Sequence, residues 1–444
     1  MSIQKLKNSF YTYLFVYAGL FVLLIQLIKF LIPFSGASHQ ALFVFNKWSF
    51  ILQLLLITIA VISFLSNRNN YRFISVTITN AILILLVLNN IVWIGYRINT
   101  PYAPPHETPL QKYPTVNFQE IYQGMETSEI QELLNESWHR ELNKNQDFVH
   151  FTEGPFNGKY VNVDSNAIRY NPAKPIIPLD TNYFNLFIYG GSTTFGYGVA
   201  DNQTIPYYLQ ENFNQTQDSV RVYNLGQAYY FSIQERILFE NHLLNGIKPD
   251  MVVFIDGLND FHSLQETPVK FKTPVIKQTD TNILKNIPLV KFLLSFNKSH
   301  SESQEAVSKP TSQVQSLSAS DEEKSADKLV QKYVANKTIV EQICSGEKIQ
   351  CLFVVQPIPF YKYNSSYHKF YSPQPHSPAR LAYSILDQNY HQNKTLENLL
   401  WLGNMQDTLN KNLYVDLVHY SPEMNKMIAL KIYHTVTDKY TLEN

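Results

Sequence analysis

Four short blocks hold the residues best suited to covalent chemistry in this chain of 444 residues. The first is Gly190-Gly191-Ser192-Thr193-Thr194-Phe195-Gly196, which directly follows the apolar run 184–189 (FNLFIY). Glycines around a Ser at a strand end allow a tight turn that exposes the hydroxyl and leaves backbone N–H groups free. A phosphate-binding loop would end in Gly-Lys-Ser/Thr, which is absent here. The Gly-x-Ser-x-Gly elbow does not fit either, because position 194 is Thr. An ordinary turn and a nucleophile site remain open, about evenly.

The second block, Asn224-Leu225-Gly226, closes the run 220–225 (VRVYNL) and alone reads as a turn glycine. The third, Asp256-Gly257-Leu258-Asn259-Asp260, follows 251–255 (MVVFI). Alone, its Asn259 reads as an Asx-turn residue. The fourth is Asp416-Leu417-Val418-His419. Among twelve His, His419 alone combines a strand-end context, an Asp three residues earlier and a following helix. A lone Asp-x-x-His is more often chance or a surface pair.

Together, in this order and each after an expected strand, the blocks resemble the SGNH hydrolases, the GDSL-like esterase/lipase superfamily, over about residues 155–440. The Gly-Gly-Ser-Thr-Thr form of the first block and the lead-in Gly158-Lys159-Tyr160-Val161-Asn162-Val163-Asp164 are similar to bacterial membrane-attached members. Gly191 stands where the family name has Asp, a residue without a catalytic role in the family. The resemblance implies a three-layer α/β/α, flavodoxin-like domain with a mostly parallel sheet, working without cofactor or metal. It implies Ser192 as nucleophile, needing an adjacent base, and His419 as that base and later as the acid. It implies Asp416 as the group that fixes the imidazole tautomer. The oxyanion hole would comprise the Ser192 and Gly226 N–H groups and the Asn259 side-chain amide.

The elements that must position these residues alternate between apolar strands (184–189, 220–225, 251–255 and 350–355) and amphipathic helices. Such alternation predicts a parallel sheet covered on both sides, with ligands beyond the carboxyl ends of its strands. One helix is expected to begin at Ser232 with a capping box to Glu235, and to stop at Asn245-Gly246. Another follows Ser421, with Pro422 in its first position. Residues 98–154 read as a Pro-opened spacer with a helical patch at Ser128–Leu142, before a hydrolase-like domain over 155–444. Residues 298–327, rich in Ser, Gln and charge, read as a flexible insertion.

Composition divides the chain. Charged residues make up 16% and hydrophobic ones 45%, with a net charge of +0. Of the 36 Lys and Arg, seven fall in residues 1–100, which hold no Asp or Glu, leaving 29 against 36 acids in residues 101–444. That mildly acidic part is a poor nucleic-acid binder. Two Cys exclude a disulfide scaffold and a multi-cysteine metal site. A single disulfide between Cys344 and Cys351, or two separate thiols, fits the spacing.

Three apolar stretches, Tyr11–Phe34, Trp48–Leu65 and Ile74–Gly95, each suit a bilayer span of about 20 residues. Residues 1–97 therefore read as a transmembrane helical anchor. Lys5, Lys7, Arg68 and Arg72 place its cytoplasmic side, so the domain after Arg97 would be extracytoplasmic. The leading expectation is a membrane-anchored serine esterase or deacylase acting on an acyl ester of a cell-envelope glycan or lipid. An O-acyltransferase using the same triad on an envelope polysaccharide, and a non-catalytic scaffold of the same fold, are the alternatives. Tyr361, Tyr363, Tyr367 and Tyr371 are candidates to line a carbohydrate cleft, and His262 is a candidate at the rim.

Overall fold

A computed structural model describes residues 107–140, 142–146, 148–171, 174–216, 219–261, 319–370, 377–392 and 396–442, with isolated Ile84, Val87, Leu88 and Ile91. The three expected spans lie outside this set except for those four positions, as do residues 298–318 of the expected insertion. Among the described residues, no helix is long and apolar enough to cross a membrane. The rest belong to one compact unit, His106–Phe271 with Gln315–Asn444.

Five parallel strands form the central sheet: β1 (Phe184–Gly190), β2 (Val220–Gly226), β3 (Met251–Asp256), β4 (Gln350–Val355) and β5 (Leu399–Trp401). Their order is β2-β1-β3-β4-β5. Every residue of β1 and β3 is buried, the mark of a strand covered on both faces. Side chains alternate between two cores, as the two-residue strand period requires. Leu186, Ile188, Val253 and Ile255 face one core, and Phe187, Tyr189, Val252 and Phe254 face the other.

Helices α1 (Thr127–Trp138), α3 (Ile205–Asn214) and α7 (Pro422–Lys439) cover the first face with Leu133, Leu209 and Ile428. Helices α4 (Ser232–Leu244), α5 (Ala319–Glu347) and α6 (Ser377–Gln392) cover the second with Phe239, Val330 and Tyr383. The short α2 (Ser192–Phe195) follows β1. The result is an α/β/α sandwich.

Four local expectations change. Residues 107–154 are integral to the domain: Phe118, Tyr122, Ile130, Leu133 and Leu134 are buried in its core. The apolar stripe of α1 needs a partner, and the sheet supplies it. A hairpin, Leu142–Gln146 paired antiparallel with His150–Glu153, continues from it. Residues 319–327 belong to α5 rather than to an insertion, because Ala326, Val330, Tyr333, Val340 and Cys344 recur at helical spacing and are buried. Ser232 makes no capping box, since Phe231 is the N-cap and the Ser232 hydroxyl donates to Asp260 (2.6 Å). Finally, only an isolated bridge, Tyr414 with Tyr420, precedes α7 where a strand was expected before Asp416. Leu413, Tyr414 and Val415 are apolar because they plug the first core.

Candidate active site

Register brings the blocks together. Gly190 pairs with Gly226 on one side and with Ile255 on the other. The turns after β1, β2 and β3 therefore open side by side at the carboxyl edge, where the strand order reverses.

Ser192 is the first residue of α2 and is half-buried. Its hydroxyl lies 2.8 Å from His419 Nε2, and His419 Nδ1 lies 2.7 Å from Asp416 Oδ2. With Nδ1 protonated, Nε2 accepts the serine proton. The other Asp416 oxygen accepts the Val418 and His419 amides at 2.8 and 2.7 Å. Burial alone would raise the Asp416 carboxyl. The His419 ring and these hydrogen bonds outweigh it and hold the group below its ordinary value. The His419 ring is fixed by two aromatics: Tyr197 stacks on it at 5.5 Å and Trp138 meets it edge-on at 5.8 Å.

A buried guanidinium braces the Ser192 turn. Arg169 donates to the carbonyls of Phe195 (2.8 Å), Gly196 (2.7 Å) and Val199 (2.7 Å) and to Asp201 Oδ1 (2.8 Å). Of these, the Phe195 carbonyl is one that the end of so short a helix leaves without an intrahelical partner. Asn224 Nδ2 adds a bond to the Phe195 carbonyl at 3.2 Å, and the Thr193 hydroxyl donates to Gln356 Oε1 at 2.7 Å.

The three expected oxyanion donors converge on this turn but are not equally available. Ser192 N–H heads α2 and is one of a helix's orphan donors. Asn259 Nδ2 spends one hydrogen on the Tyr230 carbonyl (2.6 Å) and keeps a second. Gly226 N–H donates to Asn224 Oδ1 at 3.1 Å, an Asx-turn bond, so it must turn from that partner to reach a ligand. Glycine is nonetheless required there: a Cβ on Gly226 would stand 2.1 Å from the Phe195 nitrogen. A Cβ on Gly191 would stand 2.7 Å from Asn259 Nδ2, so a side chain there would press on the amide that Asn259 presents.

Sequence reasoning missed a buried ion pair beside the site. Arg140 and Glu153 form an ion pair at 2.9 Å, their side chains 2% and 0% exposed. Glu153 Oε1 also accepts the Tyr197 hydroxyl and the Ala228 amide, both at 3.1 Å. The Arg140 guanidinium lies over the Phe195 and Tyr197 rings at 4.4 and 5.2 Å. One available signal was the helical stripe Ile130, Leu133, Leu134 and Trp138, whose apolar face had to pack somewhere.

The tyrosine group behaves differently from expectation. Tyr361 and Tyr363 line a cavity of about 450 Å³ together with Lys362 and Arg380, and none of the triad residues lines it. Their hydroxyls are engaged within the protein, Tyr361 on Asp387 and Tyr363 on the Lys411 carbonyl. Tyr367 lies in the turn Ser365–Tyr367; Tyr371 and His262 fall outside the described residues. Cys344 and Cys351 are buried free thiols.

Neither a protein-family model nor a curated protein sequence matches the chain. Among solved structures it is similar to a lipase/acylhydrolase from Enterococcus faecalis, with 12% identity, a TM-score of 0.32, and coverage of 59% of this chain and 98% of that one. A catalytic mutant of an acetylxylan esterase from Geobacillus stearothermophilus matches at 14% identity and a TM-score of 0.33, covering 59% and 96%. A psychrotrophic esterase from Pseudoalteromonas sp. matches at 12% and 0.31, covering 57% and 97%.

Proposed function

We propose that the chain is a membrane-anchored serine esterase or deacylase of the SGNH type, cleaving an acyl ester of a cell-envelope glycan or lipid through an acyl-enzyme. The observation that carries this reading is the unbroken hydrogen-bond chain from Ser192 Oγ through His419 to Asp416. His419 takes the Ser192 proton as Oγ attacks the ester carbonyl, and Asp416 stabilises the imidazolium that results. The negative charge that develops on the carbonyl oxygen meets Ser192 N–H and the second hydrogen of Asn259 Nδ2. Gly226 N–H joins once it leaves Asn224. Such donors act on charge present only in the transition state. His419 then protonates the leaving alkoxide, and water repeats the sequence on the acyl-enzyme.

The anchor reading rests on the three apolar stretches of residues 1–97 and the basic residues beside them, which favour an extracytoplasmic domain. The test is hydrolysis of p-nitrophenyl acetate by the full-length chain in detergent beside its Ser192→Ala variant. Turnover that the variant loses supports the reading. Equal rates in both would overturn it.

A further inference from the structure

Glu153 stands outside the reacting set, yet two sides of the site meet on its buried carboxylate. Its Oε1 accepts the Tyr197 hydroxyl and the Ala228 N–H, both at 3.1 Å. Its Oε2 accepts Arg140 Nη1 at 2.9 Å. Arg140 is tied in turn to the end of α1, where its Nε donates to the Glu136 carbonyl at 2.9 Å. The Glu153 N–H donates to Gln227 Oε1 at 2.7 Å, so backbone and side chain both fix the residue.

The two Oε1 partners lead to different parts of the site. Ala228 lies two residues beyond Gly226, and the Gln227 N–H between them donates to the Gly190 carbonyl at 2.9 Å. Tyr197 reaches both Ser192 and His419. Its N–H donates to the Ser192 carbonyl at 3.1 Å, and its ring stacks on the imidazole at 5.5 Å and 27°. Burial first, then the Glu153 carboxylate, raises the Tyr197 hydroxyl, which keeps it the donor to Glu153. Stability alone does not account for the Arg140–Glu153 pair, because taking both charges out of water costs about what their attraction returns. The pair adds direction instead. Stacking resists tilting of the imidazole but lets one ring slide over the other, and a charge-assisted bond to the hydroxyl stops the slide.

We propose that Glu153 is a positioning residue for His419, acting through the Tyr197 hydroxyl to hold the imidazole in line with Ser192. The proposal rests on the serine-esterase reading above. In that reading the imidazole takes the Ser192 proton and then gives it to the leaving alkoxide, and water repeats the sequence. A misplaced ring therefore slows acylation and deacylation alike. Substrate binding does not pass through this link, so the loss falls on kcat and leaves KM near that of wild type.

Full-length wild type, Tyr197→Phe, Glu153→Gln and the double variant are compared in detergent on p-nitrophenyl acetate. Each kcat is divided by the fraction of Ser192 that a fluorophosphonate labels at its end point. Tyr197→Phe keeps the ring and the Arg140–Glu153 pair and removes only the bond between them, so it decides the matter even if Glu153→Gln does not fold. Its kcat is expected to fall about tenfold with KM little changed. Glu153→Gln should fall at least as far, and adding Tyr197→Phe to it should cost no more than about twofold, because both break one link. Wild-type kcat in Tyr197→Phe, or a loss carried by KM, would overturn the proposal and leave the esterase reading intact. Losses that multiply in the double variant would also overturn it, since the two residues would then act separately. Wild type that takes no label would fail the esterase reading, and this proposal with it.

Discussion

Buried and half-buried carboxyls lie on two sides of the same sheet edge, and their surroundings drive them in opposite directions. Asp416 faces the His419 ring and two amides, which hold it ionised against the pull of burial. Glu235 in the first turn of α4, Asp256 at the end of β3 and Asp260 beside Asn259 face one another instead. Burial first, then mutual repulsion, pushes Glu235 and Asp256 well above their ordinary values. Burial also raises Asp260, although Ser232 donates to it from both its hydroxyl and its amide. Burial is common to both sides, so partners decide the charge. The group held towards its ionised form is the one paired with His419, the base of the proposed mechanism. The cluster pushed towards its protonated form includes Asp260, next to Asn259.

The contrast breaks most sharply at Asp416. Asp416→Asn should lower kcat by about 10⁴-fold by stabilising the wrong imidazole tautomer, as read by p-nitrophenyl acetate turnover. Its stability effect has a defined sign. A depressed carboxyl contributes stability above its unfolded value of about 3.9 and loses it as pH falls. The melting temperature of wild type should therefore exceed that of the variant at pH 7, and the gap should close below about pH 4. A gap that widened in acid would show that Asp416 is not held ionised.

Asn259 stands between the two sides. Asn259→Ala removes a proposed oxyanion donor and should cost about 100- to 1,000-fold in kcat. Its distinguishing feature is that ground-state binding should change little, so KM should stay near that of wild type. A loss carried by KM would make Asn259 a substrate-binding group instead.

The smallest effect is on the protonated side. A carboxyl raised in the folded state stabilises fully below its unfolded value and loses that contribution as pH rises towards the folded value. Glu235→Gln replaces the protonated carboxyl with a neutral amide of the same shape. Its melting temperature relative to wild type should therefore climb between pH 5 and pH 8. A difference independent of pH would mean that Glu235 is already ionised in the fold.

Much of this was legible in the sequence for a physical reason. Strands buried on both faces read as uninterrupted apolar runs, so β1 to β4 were visible, and their terminal Gly190 and Gly226 mark where the chain turns. Ser192, Gly226 and Asn259 stand at or just after such strand ends, whereas Asp416 and His419 follow only an isolated bridge, and all five converge at one edge. β5 was not legible, because Leu399–Trp401 is too short to form a pattern. Arg140 and Glu153 stand in a Pro-opened stretch, and nothing local signals that they bury one another.

Intact mass of the full-length chain after exposure to a fluorophosphonate addresses the activated serine without choosing a substrate. One phosphonyl adduct, mapped to Ser192 and absent from Ser192→Ala and strongly slowed in Asp416→Asn, is the predicted result. A folded wild-type chain that gains no mass, or gains it equally in the Ser192→Ala variant, would contradict a nucleophile at the end of β1.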